Sequence, residues 1–248
     1  MSRLHAALRD GRTARGAFLF LGSPDAAEIF GHAGFDALVI DHEHSPGGLE
    51  TAIHQMRAIR AAGDATLLVR LGGLDGAEIK RVLDCGAEGL LLPNAESAEQ
   101  AREFVAACRY PPRGKRGAHF TVSRAAAWGA RAADYRDAEA SLLLVAMIES
   151  VAGVEAIPEM AKVEGLSMFF MGPLDLTGSA GRMGEWEHPE MRALLRRAEQ
   201  AAMQTGLPTG TALIPGESAA DCFARGLRFA TVGSDAGVLR QGAASLLA

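Results

Sequence analysis

Short apolar runs alternate with longer amphipathic segments along the whole chain, and this alternation restricts the fold more than any other feature of the sequence. The runs are apolar on both faces, which is typical of strands in a parallel sheet that is covered by helices. In chain order they are GAFLFLG, DALVIDHEH, TLLVRLG, GLLLPN, SLLLVAMIES, SMFFMGPLDL, TGTALI and FATVGSD, and a helical pattern follows each one. Eight such β–α units in 248 residues match the size of a closed (β/α)₈ barrel.

We therefore predict an α/β fold that consists of a single (β/α)₈ TIM barrel over residues 1–248, without an internal domain boundary. The alternative is an open doubly wound sheet, which usually carries a glycine-rich nucleotide turn after its first strand. The corresponding stretch, FLGSPDAAE, contains no G-x-G-x-x-G. The segment from Pro111 to Ala140 is predicted to be an insertion before the fifth strand, either a lid or an oligomer arm. Helices are expected to end at left-handed glycines, namely Gly34, Gly63, Gly86, Gly165, Gly206 and Gly226.

Composition and charge narrow the classes of protein that this chain resembles. Hydrophobic residues make up 48% and charged residues 22%, as in ordinary globular proteins, and no apolar run reaches the roughly 18 residues of a membrane span. A net charge of -5 disfavours nucleic acid as a partner, and the short basic stretch RYPPRGKRG is expected to be a solvated loop or a rim that attracts anionic substrates. The first residues lack a secretory core, and Cys85, Cys108 and Cys222 form no CxxC. We expect a cytoplasmic protein with reduced cysteines.

Polar residues are concentrated where the predicted strands end. In a barrel of this type, functional side chains come from the carboxyl ends of the strands, which meet at one face. The sequence therefore predicts an acidic, histidine-bearing mouth that contains an arginine. Its members are Asp41, His42, Glu43, His44, Arg70, Glu149, Ser150, Asp175, Ser234 and Asp235.

Two of these carboxylates are candidates for metal ligands. Glu149 and Asp175 each follow a strongly apolar run, where an isolated carboxylate is costly to bury. Mg²⁺ and Mn²⁺ prefer hard oxygen ligands of this kind, completed by water and substrate. A zinc site is less favoured because no His or Cys pair has zinc-ligand spacing. The alternative for each carboxylate is a helix cap or a salt-bridged loop residue.

Arg70 and His44 are candidates for residues that contact the substrate and take part in catalysis. The guanidinium of Arg70 suits a carboxylate or an enolate oxygen, although the residue could instead bridge to an outer loop. His44 has the chemistry of a general base that a carboxylate holds in one tautomer, and its alternative is a cap of the next helix. Because strand side chains alternate, we expect His42 and Glu43 not to share the direction of His44 and Asp41, with His42 in a supporting position.

Several stretches of this chain resemble the HpcH/HpaI aldolases, which are metal-dependent class II pyruvate aldolases of the phosphoenolpyruvate-binding barrel superfamily. The resemblance runs from about Phe18 to the C-terminus, in order. It is carried by GFDALVIDHEHSP, IKRVLDCGAEGLLLPNAESAEQA, RYPPRGKRG, VAMIES, FFMGPLDLTGSAG and FATVGSDAGVLR. The resemblance implies reversible cleavage of a 4-hydroxy-2-oxo acid to pyruvate, or hydroxypyruvate, and an aldehyde. It also implies a divalent cation (Mg²⁺, Mn²⁺ or Co²⁺) and a homo-oligomer, a hexamer built as a trimer of dimers.

The resemblance also implies a role for each matching residue. Glu149 and Asp175 resemble the metal ligands, and Arg70 resembles the residue that steadies the C2 oxygen of the pyruvyl group. His44 is similar to the histidine that acts as a base through a metal-bound water. The remaining matches are Asp84, which resembles a carboxylate that reaches this histidine from a neighbouring subunit, and the backbone amides of Leu174 and Asp175, which resemble the cradle of the substrate carboxylate.

One residue departs from the pattern, and two other functions remain as alternatives. Met147 stands where the best-known branch of the family has glutamine, and a thioether cannot donate a hydrogen bond, so substrate identity stays open. Imine chemistry is disfavoured because the three lysines, Lys80, Lys115 and Lys162, lie in helical patterns or in the basic loop. The alternatives are a lyase for acyl-CoA thioesters of the malyl or citramalyl type, and a barrel that binds a metabolite without catalysis.

Overall fold

The computed structural model describes residues 2–135 and 138–247, and its centre is a closed barrel of eight parallel strands in chain order. Each strand pairs with its sequence neighbours, and β8 pairs with β1 to close the ring. The predicted (β/α)₈ barrel is confirmed, and the open sheet is wrong. The strands are β1 (Ala14–Leu19), β2 (Ala37–Asp41), β3 (Thr66–Arg70), β4 (Gly89–Leu92), β5 (Leu143–Ile148), β6 (Met168–Met171), β7 (Thr209–Ala212) and β8 (Phe229–Ser234).

Helices surround the barrel, and most of them begin at a residue that suits a helix N-terminus. Side chains of Ser23, Asp75 and Ser97, among others, accept hydrogen bonds from the first turn of the helix that follows. The helices are α1 (Arg3–Arg9), α2 (Pro24–His32), α3 (Leu49–Ala62), α4 (Gly76–Cys85), α5 (Ala98–Cys108), α6 (Ala132–Tyr135), α7 (Val151–Met160), α8 (Pro173–Ser179), α9 (Pro189–Gln204), α10 (Ala219–Ala224) and α11 (Asp235–Ser245). Two 3₁₀ segments, Arg124–Gly129 and Ala138–Ser141, precede β5.

The glycines predicted to end helices adopt the left-handed conformation with one exception. Five of the six have φ between +84° and +106°. Gly63 is the exception, with φ of 178°, which is extended backbone, so the prediction is wrong there. A Cβ at Gly63 would lie 3.0 Å from the carbonyl oxygen of Gly31, because α2 and α3 pack closely. Glycine at this position therefore allows a close helix approach rather than a left-handed turn.

The hydrophobic core has two layers that the strands separate. One cluster fills the barrel, with Phe18, Met147, Phe170 and Phe229 among its members, and the other lies between the strands and the helices. Helix α1, which the alternating pattern did not predict, joins the inner cluster through Leu4, and the Leu4 N–H donates to the Thr66 hydroxyl at the start of β3. Helix α1 therefore closes the amino end of the barrel interior, whereas the carboxyl end of the interior opens into a cavity.

The segment from Pro111 to Ala140 lies at the closed end of the barrel, apart from residues 136 and 137, which are outside the described residues. It connects α5 to β5, so it lies at the amino ends of the strands. Arg124 donates to the Cys85 carbonyl and Tyr135 donates to the Leu83 carbonyl, both at the end of α4. A lid over the mouth of its own barrel is therefore wrong, and an oligomer arm stays a prediction.

The basic stretch RYPPRGKRG, which overlaps the start of this segment, is also at the closed end, and its charges are paired. Lys115 lies 2.9 Å from Glu103, Arg116 lies 2.6 Å from Asp84, and Arg113 lies 2.5 Å from Glu139. A rim that attracts anionic substrates to the mouth of the same chain is therefore wrong. None of the helices in the described ranges combines the length and the apolar character that crossing a membrane requires.

Candidate active site

A cavity of about 560 Å³ opens at the carboxyl end of the barrel, and we call it the mouth cavity. It brings together four side chains that the sequence predicted from separate strands, His44, Arg70, Glu149 and Asp175. Its lining consists of Phe18, Phe20, His44, Arg70, Met147, Glu149, Phe170, Gly172, Pro173, Leu174, Asp175, Ala212, Leu213, Thr231, Val232, Gly233 and Ser234.

Arg70 is the last residue of β3 and holds a fixed position in the mouth cavity. The β2–β3 register pairs it with Asp41, and its Nε donates to Asp41 Oδ1 at 2.5 Å. Its Nη1 lies 3.0 Å from Glu43 Oε2, and the guanidinium stacks over the rings of Phe18 and Phe20 at 5.0 and 5.8 Å. The side chain is only 7% exposed. A buried, oriented guanidinium of this kind is preorganised to stabilise a developing oxyanion.

Asp41 organises the turn that follows β2. Besides binding Arg70, its carboxylate accepts hydrogen bonds from the backbone N–H of His44 at 2.8 Å and of Glu43 at 3.4 Å. The strand ends at Asp41, so the alternation expected for residues 42–44 does not apply and Glu43 turns toward Arg70. Burial raises the pKa of Glu43, and the charge of Arg70 opposes that rise. The sequence placed both carboxylates in the mouth, but it did not predict their contacts with Arg70 or the role of Asp41 in the turn.

The two histidines of this turn have different environments. His44 lines the mouth cavity with its side chain 62% exposed, and its Nε2 lies 3.8 Å from Glu43 Oε2. The buried ring of His42 points elsewhere, since its Nδ1 lies 2.9 Å from Glu78 Oε1 on α4. His44 is thus accessible to a substrate, whereas His42 ties the turn to a neighbouring helix.

Glu149 follows β5 and is the most perturbed carboxylate of the site. Burial raises its pKa to about 7, and the nearby charges of Glu43 and Asp175 add to the rise. The backbone N–H of Asn94 donates to its Oε2 at 2.8 Å, from a left-handed conformation (φ 46°) that asparagine tolerates. A Cβ at Gly172 would lie 2.5 Å from Glu149 Oε1, so this carboxylate needs glycine beside it.

Leu174 and Asp175, which the sequence pattern placed at the end of the sixth strand, lie in the first turn of α8. Pro173 begins this helix, a position where its fixed φ is favourable. The backbone N–H groups of the first turn have no partner within a helix, so those of Leu174 and Asp175 are free of intrahelical bonds at the edge of the mouth cavity. Two amides at a helix start are suited to a carboxylate.

The donor set of the mouth cavity fits a hard divalent cation. Among residues 2–135 and 138–247, no three His, Cys, Asp or Glu side chains converge as a complete cage. Two carboxylates from neighbouring strands nevertheless face the same space, and one of them, Glu149, is buried with a raised pKa that a nearby positive charge would lower. Mg²⁺ and Mn²⁺ sites commonly have one or two carboxylates, with water and substrate as the other ligands.

Asp84 lies at the carboxyl end of α4 and therefore at the closed end of its own barrel. Its carboxylate accepts from Arg116 Nη2 at 2.6 Å, and its side chain stays 24% exposed. Arg116 itself is only 1% exposed and stacks over Tyr110. The structure does not bring Asp84 together with the other predicted site residues of the same chain.

The positions of the three lysines and of Met147 bear on two further predictions, the absence of imine chemistry and the open identity of the substrate. Lys115 pairs with Glu103 and Lys162 with Glu159 on the surface, and Lys80 lies on α4 beside Gly117. None of the three lines the mouth cavity. The buried side chain of Met147 contributes to the floor of the mouth cavity, next to Phe18 and Phe170 in the inner cluster. An amine that could form an imine is therefore not placed at the floor or walls of this cavity.

Comparisons with known proteins agree on one family. Residues 15–242 match the family described as HpcH/HpaI aldolase/citrate lyase. The chain is 40% identical to a 4-hydroxy-2-oxovalerate aldolase from Novosphingobium aromaticivorans, over 83% of this chain and 78% of the relative. It is 38% identical to a hydroxypyruvate/pyruvate aldolase from Chromohalobacter salexigens, over 94% and 92%. The crystal structure of an HpcH/HpaI aldolase/citrate lyase family protein from Burkholderia cenocepacia superposes with a TM-score of 0.92 at 35% identity, over 100% of this chain and 98% of that one.

Proposed function

This chain belongs to the HpcH/HpaI aldolase/citrate lyase family, and from that membership we propose that it is a divalent-metal-dependent aldolase. The reaction is the reversible cleavage of a 4-hydroxy-2-oxo acid to an aldehyde and pyruvate or hydroxypyruvate. Curated relatives at 36–40% identity over most of the chain are aldolases for 4-hydroxy-2-oxo acids and for hydroxypyruvate or pyruvate. The enzyme is accordingly a carbon–carbon lyase.

The observation that carries this proposal is the position of Glu149. Its carboxylate is buried, its pKa is raised to about 7, and it faces Asp175 and Arg70 across one cavity. Such an arrangement is unfavourable for stability alone and favourable for holding a divalent cation beside an oxyanion. When bound, the cation would stabilise as a Lewis acid the negative charge that develops on the C2 oxygen of the substrate.

The residues of the chain have separate tasks in the cleavage. Arg70 donates to the C2 oxygen, where the charge of the enolate develops. The amides of Leu174 and Asp175 hold the substrate carboxylate at the start of α8. These contacts fix the pyruvyl half of the substrate, so that the C3–C4 bond lies toward the open end of the mouth cavity.

His44 transfers the proton of the C4 hydroxyl in both cleavage and synthesis. In cleavage it removes the proton of the C4 hydroxyl, the C4–O bond becomes a carbonyl, and the electrons of the C3–C4 bond form the enolate. Protonation of C3 then gives pyruvate, and the reverse steps give synthesis. The exposed ring of His44 beside Glu43 supports this role, because a base must exchange its proton with solvent or with the substrate between turnovers.

We also propose that the site is shared between subunits of a homo-hexamer. Asp84 is turned away from its own mouth cavity, yet its carboxylate stays partly exposed while a buried Arg116 fixes its position. A carboxylate held at the closed end of one barrel is available to His44 of a neighbouring barrel. The three cysteines are free thiols, which is consistent with our proposal of a cytoplasmic location.

The proposed function is tested by pyruvate release from a 4-hydroxy-2-oxo acid before and after chelation. Chelation should abolish release, and Mg²⁺, Mn²⁺ or Co²⁺ should restore it to differing degrees. Glu149→Ala and Asp175→Ala should remove metal affinity and activity while the melting temperature stays that of a folded barrel. Glu99→Ala, at an exposed carboxylate on α5, is the matched control and should change neither. Full activity after exhaustive chelation would refute the proposal, and no pyruvate release under any condition would favour a thioester lyase or a non-catalytic barrel.

A further inference from the structure

The ring of strand ends around the mouth cavity divides into two arcs of different chemistry. From β2 to β6 the ends carry the charged groups, including His44, Arg70, Glu149 and Asp175. From β7 through β8 to β1 the lining is uncharged. It consists of Ala212, Leu213, Thr231, Val232, Gly233, Ser234, Phe18 and Phe20. The reacting half of a substrate would bind at the charged arc. The rest of the substrate would then contact the uncharged arc.

The uncharged arc is built as an apolar wall. Phe18 and Phe20 stack with ring centroids 5.3 Å apart and an interplanar angle of 8°. The carboxylate at the end of β8, Asp235, is buried and turned away, since it accepts from the backbone N–H groups of Phe20 and Leu21 at 2.8 and 3.1 Å. The Ser234 hydroxyl accepts from the N–H of Gly237. The wall therefore offers mostly aromatic and aliphatic surface, and the Ser234 hydroxyl and the Asp235 carboxylate are engaged in backbone contacts.

The charge balance of the mouth cavity disfavours a second anionic group on the substrate. Arg70 is the one Arg or Lys that lines the cavity in the described ranges, and Asp41 and Glu43 already engage its guanidinium. A carboxylate at the far end of a substrate would lie in the same cavity as Glu149 and Asp175, where the described residues of the same chain provide no second Arg or Lys to pair with it. Moving an ionised carboxylate out of water without pairing it costs more free energy than its contacts with an apolar wall provide.

We infer that this enzyme takes 4-hydroxy-2-oxo acids whose C4 substituent is uncharged and apolar, either alkyl or aryl, and discriminates against substrates that end in a second carboxylate. This inference rests on the proposed aldolase function and specifies the aldehyde half of its substrate. In synthesis, C3 of the enolate bonds to the aldehyde carbon and His44 returns the proton to the aldehyde oxygen. The apolar wall holds the aldehyde chain during this step.

Two aldehydes of nearly equal shape test the inference with pyruvate as the common partner. The neutral aldehyde is 4-methylpentanal and the anionic one is 4-oxobutanoate, in which a carboxylate replaces the terminal isopropyl group. At saturating pyruvate and Mn²⁺, kcat/KM for the neutral aldehyde should be on the order of 10²-fold higher. Deuterium exchange into the methyl group of pyruvate, measured by NMR without aldehyde, reports enolate formation separately.

Charge insertion into the apolar wall provides the second arm of the test. In Leu213→Arg the ratio of the two kcat/KM values should shift toward 4-oxobutanoate by about tenfold or more, since the new cation pairs with its carboxylate. Val232→Lys repeats the test at β8, and the ratio is taken within each protein, so that a general loss of activity cancels. Both side chains are partly exposed, which favours folding of the variants.

The exchange and kcat/KM results together distinguish the aldolase function from the preference for apolar aldehydes. Exchange together with a preference for 4-methylpentanal supports both the aldolase function and the inference. Exchange together with equal or better use of 4-oxobutanoate overturns the inference and leaves the aldolase function standing. If metal-loaded enzyme shows no exchange, the proposed function fails and the inference fails with it. Where neither variant folds, the ratio for the unaltered enzyme decides alone.

Discussion

Replacing Arg70 by lysine separates charge from geometry in the mouth cavity. The guanidinium makes two directed contacts at once, 2.5 Å from Nε to Asp41 and 3.0 Å from Nη1 to Glu43, while its plane lies over Phe18 and Phe20. An ammonium keeps the charge but presents it as a point on a flexible stem. Arg70→Lys therefore cannot hold both carboxylates and also donate to the C2 oxygen of the substrate.

The magnitude of the effect follows from these contacts. The loss of one preorganised donor at a developing oxyanion lowers the rate by on the order of 10²- to 10³-fold, or about 2.7–4 kcal/mol. One of the two carboxylates loses its partner, and an unsatisfied buried group costs about 1–3 kcal/mol of stability. For a chain of this size, each kcal/mol lowers the melting temperature by about 2–4 °C.

The assay is kcat/KM for pyruvate release at saturating metal, measured together with a thermal melt and a metal titration. We expect the activity loss at nearly unchanged metal affinity, because Glu149 and Asp175 remain in place. Arg15→Lys is the control, since Arg15 stacks over Phe223 at 5.4 Å away from the mouth cavity. An activity loss below about threefold in Arg70→Lys would refute the reasoning and reduce Arg70 to a structural bridge.

Three further predictions follow from the same geometry. Gly172→Ala should displace the Glu149 carboxylate and weaken metal binding by on the order of 10²-fold in calorimetry, whereas Gly73→Ala, in open space, should not. Because only the carboxylate form of Glu149 binds a cation and its pKa is about 7, metal affinity should fall about tenfold per pH unit below 7, and a flat profile between pH 5 and 7 would contradict this. Mixing inactive Asp84→Ala with inactive His44→Ala should restore part of the activity once subunits exchange. No recovery despite exchange proved by mass would confine the site to one chain.

The fold was predictable because eight buried strands in 248 residues leave few alternatives. Helix α1 was missed since Arg3–Arg9 is short and precedes the repeating pattern, and its burial depends on the barrel that it closes. The position of the segment from Pro111 to Ala140 followed from topology rather than from composition. A connection from a helix to the next strand lies at the amino end of the barrel. This segment therefore cannot cover the mouth cavity of its own chain, which lies at the carboxyl end.

The site was predictable where a polar residue directly ends an apolar strand, as with Arg70 and Glu149. It was less predictable where the chain leaves the strand. Glu43 was placed by a two-residue alternation that stops at Asp41, and the turn that follows is set by hydrogen bonds to the Asp41 carboxylate. Asn94 acts through its backbone N–H, and the signal in the sequence is an asparagine after a proline at a strand end, which tolerates a left-handed conformation.

The most direct test of the proposed chemistry is a crystal structure of the enzyme with Mn²⁺ and pyruvate, recorded with anomalous data. We predict one anomalous peak in the mouth cavity, at about 2 Å from carboxylate oxygens of Glu149 and Asp175, with pyruvate as a further ligand and its C2 oxygen within hydrogen-bond distance of Arg70. The lysines should carry no added density. A mouth cavity without the metal peak, or continuous density between pyruvate and any lysine, would contradict the account.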